Sequence, residues 1–210
     1  MIISFVRIPG SGKSTITKEF SKIINADFFV EPEEDKWPEI VTKREFYGFF
    51  TGITWFRGIR IKQLYDAEQM SKKGKLVVLD TYYDKLINLY LGKRGLEWLI
   101  SKDDKYFNVA KSMSKVDYEN LPNVDLIIFL KISKNVWKKF IASRGRILDS
   151  EDKFVNECFL LQKHMLNATI KYCNDFKKQF LVINQIFSSP KDMSKIVVEK
   201  LRDEKIINNI

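Results

Sequence analysis

Seven consecutive residues near the start of the chain have the composition of a loop that binds phosphate groups. They read Pro9-Gly10-Ser11-Gly12-Lys13-Ser14-Thr15. Glycines let the backbone curl so that successive amide groups point at phosphate oxygens, and the helix that follows adds a partial positive charge. We predict that Lys13 reaches the β- and γ-phosphates of a nucleoside triphosphate and that Ser14 offers a hydroxyl to Mg²⁺. The first glycine of the pattern G-x-x-x-x-G-K-[ST] is replaced by Arg7.

Two acidic residues follow strand-like segments farther along the chain. Glu31 comes directly after the apolar residues 26–30, and Asp80 comes after 76–79. Parallel strands present ligand sites at their carboxyl ends, so Glu31 is placed to orient or deprotonate an attacking hydroxyl. Asp80 is placed to hold Mg²⁺, and Trp37 is placed to border a pocket for a flat base. Alternatively, Glu31 belongs to a solvated acidic turn and Trp37 to the core, and Asp80 lies in a simple turn at the end of its strand.

The elements that must position these residues alternate along the chain. Short apolar runs typical of buried strands occupy 2–6, 26–30, 76–79, 126–130 and 180–183. Longer segments with helical character occupy 14–24, 44–72, 133–143, 151–176 and 190–202. Alternating strands and helices predict an α/β fold of the P-loop NTPase type, a three-layer sandwich with a parallel sheet of about five strands. We predict a single domain over residues 1–210.

A segment with two arginines carries further candidate site residues. Arg144 and Arg146 flank a glycine in a predicted lid over residues 143–152, where guanidinium groups stabilise charge on a transferring phosphoryl group. The alternative is an ordinary basic helix end.

The aromatic stretch 47–57 is the candidate acceptor pocket. We assign Phe50 and Trp55 to it, with Arg57 at a phosphate or at Glu31; the alternative places most of these rings in the core.

Together, the phosphate loop, the Glu-Pro…Trp segment and the Arg-Gly-Arg lid resemble those of the deoxyribonucleoside kinases. The resemblance implies that Glu31 acts on the 5′-hydroxyl of a nucleoside, that Trp37 borders the substrate and that Asp149 binds the sugar 3′-hydroxyl. It also implies a homodimer paired through the helix over 44–72. Three departures occur: one extra residue lies between Glu31 and Trp37, the base-pairing glutamine is absent, and Thr81 replaces the arginine that follows the acidic residue.

The expected reaction is transfer of the γ-phosphoryl group of ATP, with Mg²⁺, to the 5′-hydroxyl of a deoxyribonucleoside. A thymidylate-type nucleoside monophosphate kinase is one alternative, because thymidylate kinases share the Glu-Pro dipeptide and the stretch 93–96 is similar to theirs. In that case Arg57 or Arg94 would face the acceptor phosphate. Arg7 and Thr81 raise a second alternative, a catalytically weak nucleotide-binding module. The basic charge raises a third, a polynucleotide-end kinase.

Composition limits the partners and the compartment. The net charge is +9, which suits either a solvated basic surface or the attraction of nucleotide phosphates. Lysines are spread along the chain without an arginine-rich block, so we expect a small-molecule partner and no nucleic acid. No run of 18 apolar residues occurs and the first residues are typical of a strand, so we expect neither a membrane span nor a signal peptide. The two cysteines, Cys158 and Cys173, are expected to be reduced in the cytoplasm.

Overall fold

A computed structural model of the chain describes residues 1–144 and 152–207. Five strands form one sheet in the order β2-β3-β1-β4-β5, and every neighbouring pair is parallel. They are β1 (Ile2–Val6), β2 (Asp27–Phe29), β3 (Val77–Leu79), β4 (Leu126–Ile132) and β5 (Gln179–Gln185). The predicted α/β class with a parallel five-stranded sheet is therefore confirmed.

Burial separates the three central strands from the two edge strands. Every residue of β1 and β3 is buried, and in β4 only Lys131 is exposed. The edge strand β5 alternates exposed and buried residues along its length, and β2 is largely exposed. The continuous apolar runs predict burial on both faces. That expectation holds for the interior strands and is wrong for the edges, which lack a neighbour on one side.

Helices cover both faces of the sheet, and a hydrophobic cluster lies between the sheet and the helices on each face. On one face, Phe5 of β1 packs in a cluster with Phe20 and Val197. These two residues come from α1 (Lys13–Ile23) and α9 (Pro190–Asp203), which contact each other. On the other face, Val6 belongs to a separate cluster with residues of α4 (Phe49–Lys72) and α8 (Asp152–Phe176). The strand period of two sends alternate β1 side chains into the two clusters.

The predicted continuous helix over 44–72 is divided in two. A short helix, α2 (Glu39–Thr42), precedes this range. Within the range, α3 (Arg44–Tyr47) ends before Gly48 and α4 begins after it. Gly48 has φ of 93°, a backbone conformation that glycine adopts readily and that does not continue a right-handed helix. The chain therefore turns at Gly48 before the long helix begins.

The remaining helices are α5 (Tyr83–Leu86), α6 (Phe107–Asn120) and α7 (Lys134–Arg144). Two 3₁₀ turns lie at Glu34–Lys36 and Ile87–Leu89. Ser133 caps α7, because its Oγ accepts the backbone amide of Val136 at 3.3 Å. Within the two described stretches, no helix has the length and apolar character needed to cross a membrane.

Candidate active site

The backbone of the phosphate loop has the curl that its glycines predict. Gly10 and Gly12 have φ of 77° and 76°, whereas no positive φ occurs at Arg7. A side chain at the first position of the pattern is thus accommodated without left-handed backbone strain. The loop ends at Gly12, which caps α1, and the first turn of that helix contains Ser14 and Thr15.

Two hydrogen bonds from other elements and one local hydrogen bond hold the loop. The indole Nε1 of Trp137 in α7 donates to the carbonyl oxygen of Pro9 at 3.0 Å, and Nε2 of Gln185 in β5 donates to that of Ser11 at 2.9 Å. Ser11 Oγ also donates to the carbonyl oxygen of Ile8 at 2.7 Å. Two loop carbonyl groups are therefore tied to protein donors, which fixes the backbone before any ligand binds.

Asp80 joins the phosphate loop to the second strand. Its Oδ2 accepts from Ser14 Oγ at 2.9 Å and from the backbone amide of Glu31 at 3.2 Å. A hydroxyl and a carboxylate at hydrogen-bond distance are the oxygen ligands that Mg²⁺ prefers, so this donor set fits the ion. Across the described residues, no group of three or more His, Cys, Asp or Glu side chains can hold a metal. Magnesium here would therefore need phosphate oxygens and water as further ligands.

Arg60 of α4 joins two carboxylates that follow different strands, Glu31 after β2 and Asp84 in α5 after β3. Its Nη1 lies 2.9 Å from Glu31 Oε1, while Nε and Nη2 lie 2.6 and 3.0 Å from the two carboxylate oxygens of Asp84. The pKa of Arg60 is raised above its usual value, because the charges of Asp84 and Glu31 outweigh the effect of burial. The rings of Phe56 and Tyr83 lie 5.5 and 4.8 Å from the guanidinium carbon.

The expected contact between Arg57 and Glu31 does not form. Arg57 instead makes a bidentate pair with Asp117 of α6, with both nitrogen–oxygen distances at 2.7 Å. Arg60, one helical turn farther along α4, occupies the place that the sequence analysis gave to Arg57. The pairing with Asp117 raises the pKa of Arg57 through the hydrogen bond between the two side chains.

The aromatic residues assigned to the pocket form two groups. Trp37 donates from Nε1 to the carbonyl oxygen of Pro32 at 3.0 Å, and its ring meets Phe56 edge-on at 5.2 Å. Trp55 contacts the same Phe56 ring at 4.8 Å. Phe50 is stacked on Tyr106 at 5.3 Å with the ring planes 15° apart. Trp37 and Trp55 thus lie together beside the ring that flanks Arg60, and Phe50 lies with the start of α6.

Arg7 is buried within reach of the charge of Asp80. Its side chain is 1% exposed, and none of its three guanidinium nitrogens has a hydrogen-bond partner among the described residues. Burial lowers the pKa of Arg7 to about 9, and the charge of Asp80 partly offsets this effect. The residue that departs from the phosphate-loop pattern is therefore a buried cation that Asp80 stabilises only at a distance.

Several predicted residues cannot be placed. Arg146 and Asp149 lie outside the described residues, and the side chains of Lys13 and Arg144 are not described.

The sequence analysis missed Arg60 and Asp84. Arg60 follows Arg57 by three residues on the same predicted helix, and this spacing was the available signal.

A scan of the sequence against protein-family models finds no match, and a search of curated proteins finds none either. Among solved structures, the chain is similar to deoxyadenosine kinase from M. mycoides. With bound dATP, that structure has a TM-score of 0.69 and 21% identity, over 96% of this chain and 100% of the other. With bound dCTP, the values are 0.67 and 22%, over 97% and 100%. At these identities the similarity establishes that the fold is shared.

Proposed function

We propose that the chain transfers the γ-phosphoryl group of ATP to the 5′-hydroxyl of a deoxyribonucleoside. The observation that carries the proposal is the pair of hydrogen bonds at Asp80, which accepts from Ser14 of the phosphate-binding helix and from the backbone of Glu31. A phosphate site and a candidate base thus share one carboxylate. Such an arrangement holds the phosphate loop and the candidate base in a fixed relation, which favours transfer between a bound donor and a bound acceptor.

The donor half of the site binds the triphosphate. Backbone amides of the loop and the N-terminus of α1 attract the phosphate oxygens, and Lys13 adds a positive charge. Ser14 and Asp80 would hold Mg²⁺, which supplies charge neutralisation on the β- and γ-phosphates when bound. Arg144 and Arg146 would stabilise the charge that develops on the transferring group.

The acceptor half orients the hydroxyl. The Glu31 carboxylate accepts the proton of the 5′-hydroxyl. The oxygen of that hydroxyl attacks the γ-phosphorus, and ADP leaves on the opposite side. Trp37 and Trp55 flank the base, Phe50 and Arg57 line the acceptor pocket farther out, and Asp149 binds the sugar 3′-hydroxyl. The structures similar to this chain include those of a deoxyadenosine kinase with bound dATP, with dCTP, and with dCMP and dCDP, which makes purine and pyrimidine deoxyribonucleosides the first acceptors to test.

The proposal extends to the organisation of the molecule. It describes one kinase domain over residues 1–210 with a lid at 143–152, a homodimer formed through α4, and a cytoplasmic site of action. The exposed rings of Phe46 and Tyr65, in α3 and α4, are apolar surface that a second copy would cover.

The test is a panel of acceptors with Mg-ATP. Release of ADP is followed with the four deoxyribonucleosides, with deoxynucleoside monophosphates and with 5′-hydroxyl oligonucleotides. The proposal predicts turnover with deoxyribonucleosides and its loss in Lys13→Ala. Turnover only with monophosphates would establish a thymidylate-type kinase, and turnover only with oligonucleotides would establish a polynucleotide-end kinase. Tight ATP binding without any turnover would establish a nucleotide-binding module.

A matched pair of variants tests the role of Glu31. Glu31→Gln should lower kcat by about 10²–10⁴-fold with little change in ATP affinity. Glu33→Gln is the control, because Glu33 lies in the same acidic turn with its side chain 63% exposed and 3.6 Å from Lys18. We expect its kcat to equal that of the wild type. Equal kcat in both variants would remove Glu31 from the mechanism.

A further inference from the structure

Glu31 and Asp84 reach one guanidinium from opposite sides. Glu31 follows β2, Asp84 lies in α5 after β3, and Arg60 comes from the helix that packs across them. The side chains of Arg60, Asp84 and Glu31 are 11%, 8% and 21% exposed. In this partly desolvated setting each charge is held by its partners instead of by water, so the geometry of the three groups is coupled.

Arg60 has little freedom to leave this position. Asp84 binds it in a bidentate manner that uses Nε and Nη2 and leaves Nη1 directed at Glu31. The Phe56 and Tyr83 rings lie against the guanidinium and limit its rotation. Asp84 therefore anchors the arginine, and the arginine presents one N–H to Glu31.

Beside Arg60 and Asp84 lies a cavity whose lining, among the residues that the structure describes, offers no second cation for the contact with Glu31. The described residues that line it include two cations, Arg60 and Lys85. Lys85 Nζ donates to the carbonyl oxygen of Leu121 at 2.6 Å and lies 4.8 Å from the Phe176 ring. Thr81, which also lines the cavity, carries no charge. Arg60 is thus the cavity cation that reaches the candidate base.

We infer that Arg60 is a positioning residue that holds the Glu31 carboxylate in the orientation needed to receive the proton of the acceptor hydroxyl. The inference rests on the proposed function. Arg60 does not touch the transferring group in this role. It acts through Glu31, and its own position depends on Asp84.

The experiment is a double-mutant cycle on kcat, with Mg-ATP and the best acceptor from the panel. Arg60→Gln should lower kcat by about 10–100-fold, because a misplaced base acts poorly, and should leave the KM for ATP within about 2-fold. In the Glu31→Gln background, Arg60→Gln should change kcat by less than about 2-fold. Lys62→Gln, which removes an exposed cation from the same helix, is the control and should match the wild type.

Two further variants distinguish positioning from loss of folding. Arg60→Gln combined with Asp84→Asn removes the buried cation together with the carboxylate that it pairs with, so the protein should fold while the kcat loss persists. Arg60→Lys keeps the charge but lacks the planar fork, so its kcat should fall between those of the wild type and Arg60→Gln. Thr81→Arg in the Arg60→Gln background should recover part of kcat, since position 81 lines the same cavity.

The outcomes separate the inference from the proposed function. If wild type and Glu31→Gln behave as proposed but Arg60→Gln lowers kcat equally in both backgrounds, the positioning role is overturned and the function stands. A rise in KM alone would also overturn it. If the wild type phosphorylates no acceptor, the proposed function fails, and the inference fails with it.

Discussion

Arg7 and Arg60 are both buried near acidic residues that follow strands β2 and β3, yet their surroundings are opposite. Arg60 makes three hydrogen bonds to two carboxylates and its pKa is raised. Arg7 has no hydrogen-bond partner among the described residues, and its pKa is lowered to about 9. Burial of a charge stabilises a fold only when partners replace the lost water. One guanidinium is thus an organising part of the site, and the other is a destabilising charge at the entry of the phosphate loop.

The largest expected effect on stability comes from removing the paired arginine. Arg60→Met should lower the free energy of unfolding by about 3–5 kcal/mol, because the buried Asp84 carboxylate loses its partner. Urea unfolding measures the change. The double variant Arg60→Met/Asp84→Asn should recover most of the loss. A double variant as unstable as the single one would contradict the assignment of the loss to an uncompensated charge.

Removing the unpaired arginine should have the opposite sign. Arg7→Met should raise the free energy of unfolding of the ligand-free protein by about 1–4 kcal/mol, because a buried cation without hydrogen bonds is replaced by an apolar side chain of similar length. The same urea experiment detects it. A variant less stable than the wild type would show that Arg7 has a stabilising partner in the folded chain.

The pH dependence of that difference sharpens the comparison. Burial lowers the folded pKa of Arg7 to about 9, well below the usual value that it keeps in the unfolded chain, so above pH 9 the unfolded state binds more protons. The contribution of Arg7 to stability is unfavourable and constant below pH 9, and it becomes less unfavourable as pH rises above 9. The stability advantage of Arg7→Met over the wild type should therefore shrink in this range. An advantage that stays constant up to pH 11 would contradict the lowered pKa.

The smallest effect should come from an exposed pair on the same helix as Arg60. Lys62 and Asp66 lie 2.5 Å apart with side chains 76% and 42% exposed. Lys62→Gln should change the free energy of unfolding by less than about 0.5 kcal/mol, since solvent screens such pairs. A loss close to that of Arg60→Met would mean that the pairing itself, and not burial, determines the difference between the arginines.

The sequence was informative where one local feature decides the structure. The apolar runs predicted the interior strands, and the glycines at 10 and 12 predicted the left-handed turns of the phosphate loop. The sequence was less informative where contacts with neighbouring elements determine the structure. The exposed faces of β2 and β5 follow from their places at the edges of the sheet. Helix α6 was missed because Ser114 and Asp117 lie on its buried face, which weakens the apolar period.

The candidate site shows the same division. Glu31 and Asp80 were found because each comes after a strand-like apolar run, whereas the hydrogen bond from the Glu31 amide to Asp80 was visible only in the structure. Arg60 was missed in favour of Arg57, although both lie on α4. Which of two arginines one turn apart meets Glu31 depends on how that helix is rotated against the sheet, and on the partner that Asp117 offers to Arg57.

The most direct test of the central claim is phosphorus NMR of the products formed from Mg-ATP and a deoxyribonucleoside. The wild type should yield ADP and a phosphate monoester on the 5′-oxygen of the sugar in equal amounts, and Glu31→Gln should yield almost none in the same time. An unchanged ATP spectrum with every acceptor, from folded protein, would contradict the claim that this loop and this carboxylate serve phosphoryl transfer.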